Sequence, residues 1–150
     1  MNLQMEINSL KQRVAELEQQ AKQEQEFLQY GDTYWCINAY GGVSKETWDG
    51  YDIEKDMLVI GNGFRTEQEA VFAVEKLKVE AELREYSKSP NMSAVKWFIV
   101  CADSEEVYTL YTTQEISQGT IYFESKKVAQ QAIETVGIDR IKKYIFGVED

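Results

Sequence analysis

The sequence predicts an α+β protein: an N-terminal coiled-coil helix, then two ββ(β)α units sharing an antiparallel sheet with their helices on one face. Three observations carry that expectation. Residues 3–29 contain neither Gly nor Pro and are rich in Glu, Gln, Lys, Ala and Leu, a composition that favours helix. The stretch FRTEQEAVFAVEKLKVEAELREY at 64–86 places Glu69 three residues after Thr66, the reciprocal pair of a capping box. Shifted by 59 positions, Phe64 falls on Phe123, Thr66 on Ser125, Ala70 on Ala129, Ala73 on Ala132, Val74 on Ile133 and Leu77 on Val136. This degenerate repeat describes an aromatic strand end, a hydroxyl N-cap and a helix packed through small and β-branched residues. Two such units usually join their strands in one antiparallel sheet.

The elements follow in order. In residues 3–29, Leu3, Leu10 and Leu17 take heptad position d, and Ile7, Val14, Ala21 and Leu28 take a. β-Branched residues at a with Leu at d favour a parallel two-stranded coil. Glu6 and Arg13 then occupy g and meet Lys11 and Glu18 at e of a second copy, both attractive pairs. Glu24 at d breaks the seam, so the coil loosens toward its C-terminal end. The competing arrangement folds the helix back on its own domain and leaves the charge match accidental.

Tyr30, Gly31 and Asp32 end that helix, and residues 33–39 mix aromatic and β-branched types as a strand does. Gly41 and Gly42 turn the chain into a second, partly exposed strand at 43–48. Asp49 and Gly50 lead into a polar loop or single helical turn, and residues 57–60 read as a short apolar strand. Gly61, Asn62 and Gly63 make the corner that Phe64 pins. The helix over 66–86 presents Ala70, Ala73, Val74, Leu77 and Ala81 on one face. Pro90, the chain's one proline, marks a linker. Residues 96–102 and 106–112 form a hairpin through Asp103, Ser104 and Glu105, and residues 120–123 are a third strand. A second helix spans 125–136, with Gly137 at C′. Ile138, Ile141 and Ile145 then lie on one side of a short closing helix over 138–146. The domain expectation is a dimerisation helix at 1–29 and an α+β domain at 30–150, with units about 30–88 and 95–150.

The chemistry is thin. With no histidine, the commonest general base, metal ligand and proton shuttle is missing. Cys36 and Cys101 sit in apolar runs and read as buried free thiols; two separated cysteines do not form the usual zinc site. Gly61 and Gly63 precede a helix, but the third glycine of a phosphate cradle is missing, and Glu67 and Glu69 would repel phosphate. Asp49, Asp52, Glu54 and Asp56 lack the ligand spacing of a calcium loop and read as a solvated loop. No enzyme, no cofactor and no metal site is expected. A net charge of −10 with pI near 4.6 disfavours nucleic acid and anionic membranes. No apolar run reaches membrane-spanning length and the N-terminus lacks a signal-peptide core, so a cytoplasmic location is expected.

Gly31, Asp32, Tyr34 and Trp35, then Trp48, then Gly61, Asn62, Phe64, Thr66, Glu69 and Ala70 follow the pattern G-D-x-Y-(W/Y), W-x-(N/G), G-N-x-F-x-T-x-E-E-A. With the C-terminal FES…AQQAIETVGIDRIKKYIFGVE fitting the same pattern, the chain from about residue 30 to its end resembles a group of small proteins encoded by phages and prophages of Gram-positive bacteria. Gln68 replaces the first Glu of the usual pair. The resemblance implies a phage-borne origin, and with it the cytoplasm of a host cell, without naming a reaction.

The leading functional expectation is a non-catalytic homodimer that binds a host protein through an acidic and aromatic surface. Defence machinery such as an RNA-guided (CRISPR) nuclease with a basic groove is the target class. Trp48, Asp49, Tyr51 and Asp52 are the candidate contacts, because aromatics are enriched in interface hot spots; the competing role for Trp48 is to plug the sheet end. One alternative is a phage structural or assembly accessory. The other is a nucleic-acid-binding regulator, which requires Lys126, Lys127, Arg140, Lys142 and Lys143 to form one patch.

Overall fold

The computed structural model describes residues 2–25, 28–89, 94–103 and 105–149, and within them the fold is α+β. The first helix, α1 (Leu3–Gln25), stands in solvent: every residue from position 2 to 21 is exposed. Leu3, Ile7, Leu10, Val14 and Leu17 leave between 38% and 73% of their surface uncovered, so this helix is not folded back on the domain. Residues 26 and 27 of the expected helix, like Pro90 of the linker and Ser104 of the hairpin turn, lie outside the described residues. Leu28 corrects the expected coil seam. It is non-helical and buried against Tyr34 and Cys36, because the domain's own apolar cluster lies beside the point where the chain enters its first strand.

That strand, β1 (Thr33–Ile37), pairs antiparallel with β2 (Val43–Thr47). Asn38 builds the turn: its side-chain oxygen accepts from the N–H of Tyr40 and Gly42 at 3.0 and 3.1 Å, and its amide donates to Ser44 Oγ at 2.9 Å. Next comes α2 (Asp52–Val59), where residues 57–60 were expected as a strand. Four apolar residues alone do not distinguish helix from strand. Here the Glu54 carboxylate caps the preceding turn, and Met57 and Leu58 reach the Tyr34 cluster from helical backbone.

The capping box at the start of α3 (Glu67–Glu85) forms as the sequence predicts. Thr66 Oγ1 accepts from the Glu69 N–H at 3.2 Å, and the Glu69 carboxylate accepts from the Thr66 N–H at 3.1 Å. The buried stripe does not keep the expected face. Ala70 and Val74 are covered, but Val79 and Leu83 follow, while Leu77 is 54% exposed and Ala81 lies in solvent. The helix serves two neighbours. It contacts β1 and β2 and also the two C-terminal helices, and Val79 and Leu83 belong to the second unit's core.

In that unit β3 (Lys96–Ala102) pairs antiparallel with β4 (Glu106–Thr112), Ile99 standing opposite Thr109. The helix α4 (Lys126–Val136) is capped by Ser125 Oγ, which accepts from the Val128 N–H at 3.2 Å. Ala129, Ala132, Ile133 and Val136 are all buried. Gly137, at a φ of 99° that side-chain-bearing residues rarely adopt, passes the chain directly into α5 (Ile138–Phe146). Ile141 is fully covered in the cluster formed with Val79, Leu83, Phe123 and Ile133. Arg140 ties α5 to α3 through two 2.8 Å hydrogen bonds to the Glu82 carboxylate.

One expectation about the sheet needs correction. The hairpins do not share a sheet; each forms its own two-stranded sheet. Each is extended by a single residue. Phe64 exchanges two backbone hydrogen bonds with Trp35 (2.8 and 2.9 Å), and Phe123 does the same with Trp97 (2.8 and 3.1 Å). The third strand expected at 120–123 thus reduces to Phe123. Just before it, the Tyr122 carbonyl accepts from the Lys88 N–H at 2.9 Å on the side away from β3. In the first unit the free edge of β1 is occupied by Phe64 and the Asn62 side chain, leaving no ladder for another hairpin to join.

Candidate interaction surfaces

Of the four candidate contact residues, the structure separates one from three. Trp48 is half-buried, its ring edge-on to Tyr34 with centroids 6.0 Å apart. Its N–H donates to the Asp32 carbonyl at 2.7 Å, and its own carbonyl accepts from the Gly31 N–H at 2.9 Å. It plugs the sheet end. Asp49 and Tyr51 are exposed, and Asp52 points outward with Lys55 3.6 Å away. These three exposed residues make up an acidic and aromatic rim directly after Trp48 in the chain.

Glu54 orders that rim, a role hidden among its acidic neighbours in the sequence. Its carboxylate is buried and accepts from the N–H of Tyr51 at 2.8 Å, from the N–H of Asp49 at 3.3 Å and from the Tyr34 hydroxyl at 3.4 Å. The available signal was its position three residues after a loop-to-helix junction, where a Glu reaches back to the N-cap backbone. Burial, and after it the Glu54 carboxylate, push the Tyr34 phenol up to about 12. Burial also pushes up the Cys36 thiol, with Glu46 adding to the effect. Cys36 and Cys101 are both free thiols. Among the described residues no three His, Cys, Asp or Glu side chains are grouped to hold a metal ion, and no helix is long and apolar enough to cross a membrane.

Asn62 has a structural role that its place in a glycine-flanked corner did not announce. Its side-chain oxygen accepts from the Ile37 N–H at 2.6 Å, and its amide donates to the Ile37 carbonyl at 2.9 Å. A carboxamide thereby stands in for a strand residue, and the alternation Asn62, Phe64 matches Ile37, Trp35. Gly61, at a φ of 79°, makes the turn that aims it. Beside this seal an apolar groove of about 410 Å³ runs between Ile60, Phe64 and Leu77.

Lys126 and Lys127 are exposed, whereas Arg140 is committed to Glu82. The coil seam other than Leu28 lies on the solvent-exposed part of α1. No family model, no curated protein and no solved structure matches this chain.

Proposed function

We propose that this chain is a non-catalytic, homodimeric binding protein of phage origin. It acts in the host cytoplasm, and Asp49, Tyr51 and Asp52 engage a basic surface of a host protein. The target class is a defence nuclease of the RNA-guided type, whose nucleic-acid groove an acidic protein can occlude. The observation that carries the dimer is the bare stripe Leu3, Ile7, Leu10, Val14, Leu17 and Ala21 on α1. A lone helix of about 35 Å, at 1.5 Å per residue, gains nothing from that stripe and is marginal in water. Pairing two copies in parallel covers it and sets Glu6 against Lys11, and Arg13 against Glu18, of the second copy. Arg13 now rests 3.6 Å from Glu16 within its own exposed helix, an arrangement weak enough to exchange.

Light scattering and a pull-down test the two halves of this reading. The intact chain should have a dimer's mass at micromolar concentration, and the double variant Leu10→Lys/Leu17→Lys a folded monomer's. A monomeric parent chain removes the dimer. Immobilised protein should capture a host nuclease from lysate in a salt-sensitive manner, weakened by Asp49→Lys and Asp52→Lys. Recovery of virion proteins alone would favour an assembly accessory.

A further inference from the structure

The two units treat the same strand edge differently. In an antiparallel ladder, residues alternate between pointing their N–H and C=O at the partner strand and away from it. Trp35 directs both groups away from β2 to Phe64, so two residues on Ile37 also faces outward, where Asn62 meets it. Trp97 directs both groups away from β4 to Phe123, and the alternation turns those of Ile99 outward as well. The repeat offset places Ile121 where Asn62 stands. Isoleucine offers no hydrogen bond, the backbone of residues 118–121 has left the ladder, and no described residue pairs with the outer edge of Ile99.

A cleft of about 230 Å³ opens at that place, lined by Leu83, Ile99, Ile121, Phe123, Ile141 and Ile145, with the Glu80–Arg84 ion pair on its rim. A purely apolar ligand would fill the cavity but leave the Ile99 N–H and C=O buried without partners, a desolvation cost that hydrogen bonding removes. A residue of an extended chain satisfies both, its N–H and C=O facing the same side as those of Phe123 face Trp97. The first unit supplies the precedent within this molecule, for the Asn62 carboxamide presents the donor and acceptor of a strand residue to Ile37, at 2.9 and 2.6 Å.

The geometry points to a peptide-binding cleft: an extended segment of a partner polypeptide adds to the β3 edge. Its backbone pairs with Ile99, and one apolar side chain enters the cavity. Strand addition draws affinity from main-chain pairing and selectivity from the side-chain pocket. This surface uses neither the α1 stripe nor residues 49–52, so it stands or falls apart from the function proposed above.

A random heptapeptide library displayed on phage, panned on the full chain with Ile121→Asn as counter-selection, tests it. That variant supplies the missing carboxamide and should seal Ile99 as Asn62 seals Ile37. Enriched sequences, synthesised as free peptides, should slow exchange of the Ile99 amide by about tenfold or more and should still bind Leu10→Lys/Leu17→Lys. Gln118→Trp, at an exposed position on the rim, should block them without unfolding the chain, and it replaces the counter-selection if Ile121→Asn does not fold. Lack of enrichment over the sealed or blocked variant, or binding that leaves Ile99 exchange unchanged, overturns the assignment.

Discussion

Replacing Asn62 by Ala strips the first unit of its edge seal. The variant loses a 2.6 Å bond accepted from the Ile37 N–H and a 2.9 Å bond donated to the Ile37 carbonyl, both partly buried. Each is worth about 1 kcal/mol net, so the pair contributes about 2 kcal/mol, less whatever water recovers at the exposed rim of the neighbouring groove. In a chain of this size that lowers Tm by about 4–8 °C. Asn62→Asp is the sharper probe. A carboxylate still accepts from the N–H but has no proton for the Ile37 carbonyl, so it faces that oxygen with like polarity and should cost at least as much as Ala. Urea unfolding gives the free energies, and amide exchange gives the local reading: the Ile37 amide should exchange faster in Asn62→Ala while those of Tyr34 and Cys36 stay protected in the ladder. An Ala variant within about 0.3 kcal/mol of the parent, or an Asp variant as stable as the parent, would refute the idea that the carboxamide substitutes for a strand.

Two further expectations concern the helices. Thr66→Ala and Ser125→Ala should each cost about 1 kcal/mol in urea titrations, since each hydroxyl accepts one otherwise unpaired N–H at 3.2 Å; a cost near zero would mean the caps are redundant. The Arg140 guanidinium, hydrogen-bonded to Glu82, holds that carboxyl below its ordinary value of 4.5 against the opposing effect of burial. A carboxyl with a depressed native pKa stabilises fully above its unfolded value and loses that contribution as pH falls through the native one. Stability should therefore drop below about pH 4.5 more steeply in the parent than in Glu82→Gln, and parallel pH profiles would show the pair contributes nothing. With both side chains 38–40% exposed, a double-mutant cycle should return no more than about 1 kcal/mol.

Local signals were legible in the residues alone. Thr66 with Glu69, Ser125 before Lys126, and Gly137 between two periodic stretches fix helix starts and a helix junction, because each device works over three or four residues of its own chain. The 59-residue offset likewise carried real equivalence, from the paired bridges of Phe64 and Phe123 to the two hydroxyl caps. The helical character of α1 was readable for the same reason.

What the tertiary structure decided depends on which surfaces meet. Composition cannot say that Leu28 prefers Tyr34 and Cys36 to a seam, since either burial removes the same apolar area from water. Nor can it say that α3 turns Leu77 outward and Val79 inward, a choice made by the second unit packed against its C-terminal half. Residues 57–59 became helix, with Glu54 anchoring the turn before them. The two hairpins form separate sheets, and tertiary contacts occupy part of the outer edge of each. Asn62 closes the edge of β1, while beside β3 Phe123 pairs with Trp97 and the Tyr122 carbonyl accepts from the Lys88 N–H. These are contacts between segments far apart in the chain, and local periodicity holds no information about them.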